Sequence, residues 1–373
     1  MGPNRVPAVR EEIRALAGRG QTWIDFTAAV ADSIATVLPH TASCFHTVDP
    51  GTIILTGSVN RNVGCSGSWL AHHEYVVEDV NKWGFLAHSG RIAGASSLAT
   101  HGALDRSERH RSHAGYGYGD ELRVAFVRDG VYWGAAAFLR EPDQPWFTEA
   151  DVAAVRHLAE PVAAGLQRAT ASAAQAAFAD HGPGVVVFDP DGVVESVSPA
   201  AERWIAELDE HPPPLVPAEA KVVQAVAARA RSILPGTDPL ELSARARVRT
   251  RSGRWLLMYG TRLNGGEDGR TAVVIHPASP HDVAPVVALS YGLTARECEV
   301  VMLCIQGRAT KDIAAALSLS PYTVQDHLKS IFGKTGATTR GELVGRVFLD
   351  HYAPRWQTPA LGAPPGVLAL TMD

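Results

Sequence analysis

Polar side chains between residues 320 and 335 are of types that can form hydrogen bonds with DNA bases. Gln325, Asp326 and Lys329 share one face of a helical period, opposite an apolar stripe. Gln can pair with adenine, Lys can donate to guanine O6 and N7, and Asp can accept from the amino group of cytosine, although a carboxylate also repels phosphate. The types of these side chains therefore agree in part with contacts to base edges.

A second group of side chains has the types that line a ligand pocket. Its candidates lie in a segment rich in histidine and aromatic residues, and they are His72, His73, Trp83, Phe85, Tyr116, Tyr118 and Trp133. The commoner alternatives, surface histidines on a polar loop and aromatic rings packed in the core, stay open. No nearby carboxylate completes a recognised set of metal ligands, so we predict no metal site.

Composition limits the classes of protein that fit this chain. The 373 residues exceed one ordinary core and indicate two or three domains. A net charge of −5 excludes non-specific coating of nucleic acid, so any DNA binding must be local. The 4 cysteines form no CxxC pair, which favours a reducing cytoplasm. The start MGPNRVPAVREEIR lacks the apolar core of a signal peptide, and we expect no membrane partner.

The segment from residue 291 to 349 carries dense helix start and stop signals that imply four short helices. Thr294 with Glu297 predicts a capping box, and Gly307 stands where a helix ends. Thr310 is expected to cap the next helix, and Ser320 to cap a third one. Two short helices joined by a tight turn are the arrangement that seats a helix in the major groove. The preceding stretch PASPHDVAPVV is predicted to be a linker.

This segment resembles the LuxR-type (GerE-like) DNA-binding domain. The resemblance covers about 60 residues, and the matching positions are Leu293-Thr294, Arg296-Glu297, Ile313-Ala314, Leu317, Ser320, Thr323-Val324, His327 and Lys334. One departure is Thr335, where the family usually has Leu, and it is expected to loosen the packing before the last helix.

The resemblance implies roles for named residues. It assigns base reading to Gln325, Asp326 and Lys329, and contacts with the DNA backbone to Thr323, His327 and Lys334. It assigns the dimer contact to the last helix, through Leu343, Val344, Val347 and Phe348. The partners it implies are duplex DNA, a second copy of the chain and RNA polymerase. The alternative is a small helical interaction domain with solvated lysines, and the nearly balanced charge of the segment favours it slightly.

The first 280 residues are predicted to form two sensor domains, called here the first module (21–170) and the second module (171–280). Turn signals predict hairpins at Asp49-Pro50-Gly51 and Asp129-Gly130. The second hairpin, with Trp133-Gly134 and a helix opening at Thr148, resembles the end of a GAF domain over residues 21–170. Residues 171–280 resemble a PAS domain through a strand, an Asp-Gly turn and a helix start at Ser198. The predicted fold is thus multidomain α+β: a tail (1–20), GAF-like and PAS-like α/β sensors, an all-α four-helix LuxR-type domain (285–350) and a flexible tail (351–373).

Four arginines alternate with apolar residues in the second module. Arg245, Arg247, Arg249 and Arg251 recur with period two, so they lie on one face of a strand. We expect a solvated face, with contact to an acidic partner as the alternative.

Other functional classes remain as alternatives to a ligand-controlled regulator. Control by redox state or by a protein partner is one, and a metal-dependent enzyme fused to a DNA-binding domain is another. The chain contains no GxSxG, GxxxxGK or HExxH motif, so we expect no enzyme. A phosphorylated receiver domain would begin with a strand ending in paired acids, whereas Glu11-Glu12 precede a helical stretch. The sequence identifies no cofactor.

Overall fold

The structure, a computed structural model, describes residues 5–114, 117–171, 181–208, 210–211, 219–233, 244–263 and 269–349. It is a mixed α/β fold with two largely antiparallel sheets and helices at its C-terminal end. The helices are α1 (Val6–Ala17), α2 (Trp23–Ala35), α3 (Gly67–Ala71), α4 (Trp83–Ser89), α5 (Ser96–Ala99), α6 (Glu108–Ala114), α7 (Glu149–Ala171), α8 (Pro199–Ala206), α9 (Lys221–Ser232), α10 (Pro280–Ser290), α11 (Ala295–Ile305), α12 (Thr310–Ala316), α13 (Pro321–Thr335) and α14 (Arg340–Val344). Short π-helical turns cover His72–Val76 and Gly345–Leu349, and a 3-10 turn covers Leu104–Arg106.

The strands fall into one sheet of six and one of five. They are β1 (Ala42–Asp49), β2 (Ile54–Arg61), β3 (Ala93–Ala95), β4 (Asp120–Arg128), β5 (Val131–Arg140), β6 (Gly184–Phe188), β7 (Val194–Val197), β8 (Glu210–His211), β9 (Arg245–Arg249), β10 (Trp255–Arg262) and β11 (Thr271–Pro277). The first sheet has the order β3-β4-β5-β1-β2-β8, and the second has the order β7-β6-β11-β10-β9.

Both predicted hairpins of the first sheet are confirmed. β1 pairs with β2 across the turn that follows Asp49, and β4 pairs with β5 across Asp129-Gly130. Asp129 and Gly130 have φ values of 52° and 76°, the pair of positive angles that a tight hairpin turn requires. The apolar sides of α1, α2 and α7 pack on one face of this sheet.

The predicted N-terminal tail is wrong for most of its length, because Val6–Ala17 form α1. Val9, Ile13 and Leu16 recur at helical spacing and are buried beneath α7, so burial of this stripe stabilises the helix. The predicted C-terminal tail at 351–373 lies outside the described residues.

The two modules interlock instead of meeting at a boundary. Strand β8 comes from the second module and pairs in parallel with β2 of the first sheet. Helix α9 also packs on β2 and on the π-helical turn at His72–Val76, so one apolar cluster runs through both modules. The expected solvated arginine face is wrong at its centre for the same reason. Arg247 is buried and donates from Nη1 to Asp49 Oδ1 over 2.8 Å.

The histidine-rich segment is held on the first sheet by buried ion pairs. Glu121 on β4 accepts from Arg109 Nε at 2.6 Å and from Arg123 Nε at 2.9 Å. Arg123 also reaches Glu74 at 2.8 Å and stacks its guanidinium over the Trp83 ring. All four charged side chains are at least nine-tenths buried, so each depends on its partners for compensation of the lost hydration.

The stretch predicted as a linker before the last domain is a helix. The Ser279 hydroxyl caps α10 by accepting from the backbone N–H of Asp282, and the backbone N–H of Ser279 donates in return to Asp282 Oδ2 at 2.9 Å. This capping box overrides the loop signal of the prolines. Pro280 occupies the first turn, where its missing N–H costs no hydrogen bond. α10 packs on α7, and Gln167 Nε2 donates to Leu289 O at 3.2 Å.

Candidate nucleic-acid interface

The capping signals place three helices in the predicted order. Thr294 and Glu297 form a capping box at α11, as predicted. The prediction for Thr310 is wrong, because Ala309 is the N-cap of α12 and Thr310 instead accepts a hydrogen bond from Arg340 Nη2. Ser320 caps α13 through the backbone N–H of Thr323, as predicted. The turn between α12 and α13 is short and contains Ser318 at a φ of 54°.

Helix α13 has one buried and one exposed face. Val324, Leu328 and Ile331 are buried against α11 and α12. Gln325, Asp326 and Lys329, the predicted base readers, lie together on the exposed face of the helix. The sequence analysis did not single out Tyr322, which lies one residue into the helix and is 74% exposed. A large exposed aromatic ring at the start of a polar helix face is the signal that points to it.

The predicted contacts with the DNA backbone have different environments. Thr323 and His327 are half-buried at the edge of the exposed face, and the Thr323 hydroxyl lies 2.8 Å from the capping hydroxyl of Ser320. Lys334 instead donates from Nζ to Glu297 Oε2 at 2.6 Å. Its charge is therefore already paired within the domain.

Glu297 is buried and is the centre of a small hydrogen-bond network. Its oxygens accept from Lys334, from the Ser330 hydroxyl at 2.6 Å and from the backbone N–H of Thr294 at 2.7 Å. Burial raises the pKa of Glu297, but the hydrogen bonds from Lys334, Ser330 and Thr294 outweigh it and lower the pKa to about 2. This network ties the start of α11 to the end of α13, so it fixes the orientation of the exposed face.

The departure at Thr335 is accommodated without a polar group left unpaired. Thr335 is buried, and its hydroxyl donates to Ile331 O at 2.9 Å within the same helix. A buried hydroxyl that bonds the carbonyl four residues earlier avoids the cost of desolvation without a partner.

The four residues of the predicted dimer contact do not share one surface. Leu343 and Val347 are fully buried in the core of their own domain, so they are unavailable to a second chain. This corrects the prediction for both. Val344 is half-buried, and the side chain of Phe348 lies outside the described residues. A strong apolar period at the end of a helical domain indicates burial, and it does not tell burial in the core from burial in a dimer.

The candidates for the ligand pocket are scattered. Trp83 and Trp133 are buried in separate apolar clusters, and each packs with one of the two faces of the first sheet. His72 and Phe85 are exposed, whereas His73 is buried and stacks on Trp69. Tyr118 is half-buried and donates to Asn62 O, and Tyr116 lies outside the described residues. Among the described candidates, the structure therefore does not form one common pocket.

A cavity of about 460 Å³ lies elsewhere, where the first module, the second module and α10 meet. Its wall includes Asp49 from β1, Arg247 from β9, Trp255 from β10 and Val286 from α10. The sequence analysis missed it because the wall joins three segments that are far apart in the chain: Asp49, Arg247 with Trp255, and Val286. The period-two arginines were the only signal.

Comparison with known proteins identifies the C-terminal helices. Residues 292–347 match the family described as bacterial regulatory proteins, luxR family. These residues are a luxR-family helix-turn-helix domain. The match spans α11 to α14 and includes every residue of the exposed face of α13.

The luxR-family domain also matches curated transcriptional regulators. The monoamine regulon transcriptional regulator of Klebsiella aerogenes is 44% identical over 57 residues, which are 15% of this chain and 25% of that protein. A putative HTH-type transcriptional regulator of Aeromonas salmonicida is 44% identical over 59 residues, 16% of this chain and 30% of that protein. The matches thus span about a quarter to a third of these relatives.

Solved structures resemble the chain only distantly. The alignment with the phage VqmA–DPO complex shows 20% sequence identity and a TM-score of 0.18. It covers 44% of this chain and 81% of the solved chain. The E. coli DhaR(N)–DhaL complex is 12% identical, covers 74% of this chain and 91% of that chain, and has a TM-score of 0.21. These scores do not establish a common fold. Among the described residues, no helix has the length and hydropathy needed to cross a bilayer.

Proposed function

We propose that this chain is a DNA-binding transcription regulator whose luxR-family domain reads base edges with α13. The observation that carries the proposal is the exposed polar face of Gln325, Asp326 and Lys329 on a helix whose opposite face is buried in the domain core. These side chains are those that make paired hydrogen bonds in the major groove. Among the described residues, Lys329 has no carboxylate within salt-bridge distance, so its charge is available to DNA.

The proposal includes a dimer on DNA. One recognition helix covers a half-site, and two-fold pairing of chains doubles the base contacts at a spacing of about 34 Å. With Leu343 and Val347 buried in the core, Val344 is the described residue of the last helix that offers the dimer contact. Binding of this kind would take place in the cytoplasm.

The proposal also includes control by the first two modules, which we interpret as GAF-like and PAS-like sensors. Support comes from the way they are joined to the DNA-binding domain. Trp255 and Leu257 of β10 belong to the same apolar cluster as Val300 of α11 and Ile331 of α13. A change in the second module therefore reaches the recognition helix through packed side chains, and a ligand that binds two arrangements with different affinity shifts their populations.

The experiment selects duplex DNA from a random library with the full chain and measures binding to the selected sequence by gel shift. We expect specific binding that weakens as salt rises, because phosphate contacts release counterions. Sedimentation of the complex then gives the number of protomers, with two expected. Failure to select any sequence would contradict the proposal and favour a protein-interaction domain, and one protomer on a complete site would contradict the dimer.

A further inference from the structure

The cavity at the junction of the modules contains polar groups that lack partners. Trp255 is 7% exposed, and its indole Nε1 has no acceptor among the described residues. Arg247 is also 7% exposed, and its Nε likewise has no acceptor there. A buried donor without a partner is costly. These two donors belong to residues that line one cavity, so an acceptor bound inside it could satisfy both.

The charge of the wall favours an anion. Among the described residues that line the cavity, the cationic side chains are Arg247, Arg249 and Arg251, and the carboxylate is that of Asp49. The Asp49 carboxylate is occupied, because it accepts from the Arg247 backbone N–H, from Arg247 Nη1 and from the backbone N–H of Gly51. The wall thus holds more positive than negative charge, and guanidinium groups pair well with carboxylates.

The remaining wall favours a flat apolar body. Trp23, Trp255, Val48 and Val286 line the same space, together with polar residues that include several threonines. A volume of about 460 Å³ lies within the range of small-molecule sites, and such sites combine aromatic walls with a few placed polar groups.

We propose that this cavity binds a small aromatic carboxylate, with the ring between the tryptophans and the carboxylate at Trp255 Nε1 and the arginines. The site differs from the pocket that the sequence predicted in the histidine-rich segment. It joins residues of the first module, the second module and α10, so its occupant contacts all three at once.

The position of the site gives it a route to the DNA-binding domain. Val286 and Trp255 line the cavity and also belong to the apolar cluster that contains Val300, Val301 and Ile331. A ligand between them stabilises one arrangement of α10 against β10. The regulatory part of this inference rests on the proposed function, whereas the binding part does not.

The binding experiment uses the full chain without DNA and a matched pair of probes, 2-naphthoate and 2-naphthamide, in titration calorimetry. We expect the acid to bind about tenfold more tightly than the amide, since a charge-assisted hydrogen bond is lost with the amide. Trp255→Phe keeps an apolar ring but removes the N–H, and it should weaken the acid about fivefold to tenfold. Arg251 is exposed but donates to Ala206 O and Leu208 O, so the unfolding temperature of Arg251→Gln is measured alongside its affinity. In the folded variant the preference for acid over amide should be reduced.

Matched controls lie away from the cavity. Trp146→Phe changes an exposed tryptophan, and Arg156→Gln changes an exposed arginine of α7, so neither should alter binding of 2-naphthoate. Equal affinity for acid and amide, absence of binding by both probes, or an acid affinity unchanged in Trp255→Phe and Arg251→Gln would overturn the proposal.

Hydrogen exchange tests the route to the last domain in the same samples. 2-Naphthoate should slow hydrogen exchange at the backbone N–H groups of the non-proline residues of α10, because the ligand packs on Val286. If 2-naphthoate binds but exchange in that helix is unchanged, the coupling between the cavity and α10 is contradicted. The proposed binding site is not. Binding of 2-naphthoate by a chain that selects no DNA would contradict only the proposed function.

Discussion

Lys334 Nζ lies 2.6 Å from Glu297 Oε2, and this pair joins the end of α13 to the start of α11. Glu297 is 4% exposed, so its carboxylate relies on protein donors instead of water. The lysine that sequence resemblance assigns to the DNA backbone therefore also has a structural role, and the two roles are separable by experiment.

Lys334→Met should lower the free energy of unfolding by about 1–3 kcal/mol, because it leaves a buried carboxylate short of a donor. Urea unfolding at pH 7 measures the change. Lys311→Met is the matched control, since Lys311 is exposed and has no described carboxylate within salt-bridge distance. The structural role would be wrong if Lys334→Met had the same free energy of unfolding as Lys311→Met. Weaker DNA binding by such a stable variant would leave only the role in contacting phosphate.

Lys329→Ala should weaken binding to the selected DNA by about 1–3 kcal/mol and relax the preference at one base pair. Gel shift against single-base variants of the selected site measures both effects. Circular dichroism should be unchanged, because Lys329 is exposed. Arg156→Ala removes an exposed charge on α7 and serves as the control. Parent-like affinity and base preference in Lys329→Ala would show that another face reads the bases.

Val344→Glu should reduce DNA affinity by about tenfold or more, because a charge at the proposed dimer contact opposes pairing of two chains. Sedimentation of the DNA complex measures the number of bound protomers. Val193→Glu, at an exposed valine of the second module, should leave the complex unchanged. A dimeric complex of full affinity in Val344→Glu would exclude this surface as the contact.

Stability should fall as the pH drops from about 6.5 toward 3, because His46 folds in its neutral form. Burial lowers the pKa of His46, and the positive charge of Lys221 lowers it further, to about 3. The unfolded chain binds the proton at higher pH, so protonation in this window favours unfolding. His46→Gln should flatten the pH dependence of the free energy of unfolding, whereas His157→Gln, at an exposed histidine, should not. Equal slopes in parent and His46→Gln would count against a neutral His46.

Glu121→Gln should destabilise the fold by about 3–5 kcal/mol, because it removes the charge that compensates both Arg109 and Arg123 in the core. Thermal unfolding gives the direction, and urea unfolding gives the magnitude. Glu160→Gln removes an exposed partner of Arg128 and should cost about 1 kcal/mol or less. Similar losses of stability in the two variants would mean that the Glu121 network stabilises the fold no more than a surface ion pair does.

Local signals in the sequence predicted the DNA-binding helices because the interactions that form them are local. Thr294 caps α11 by accepting from the N–H of Glu297, and Ser320 caps α13 by accepting from the N–H of Thr323. Each contact spans three residues, so the sequence alone predicts it. The exposed face of α13 follows from the same helical period that buries Val324 and Leu328. The hairpin at Asp129-Gly130 is likewise determined by two adjacent residues.

Periodicity predicted burial, but it did not identify what covers the buried face. Leu343 and Val347 have the spacing of a contact stripe, and their cover is their own domain. Arg247 has the spacing of a solvated face, yet it faces Asp49, which lies 198 residues away in the chain. The local pattern is the same in each case, because a side chain's solvent exposure depends on which distant element packs against it.

The sequence by itself determined the helix-turn-helix, the order of the hairpins and which face of α13 is exposed, since each depends on residues within one or two helical turns. Only the tertiary structure decided that Lys334 pairs with Glu297 and that α9 packs on β2 of the first sheet. It also decided that Asp49, Arg247, Trp255 and Val286 line one cavity. These contacts join segments that no periodicity relates. They exist because packing of the apolar clusters brings distant charges and rings within reach of each other.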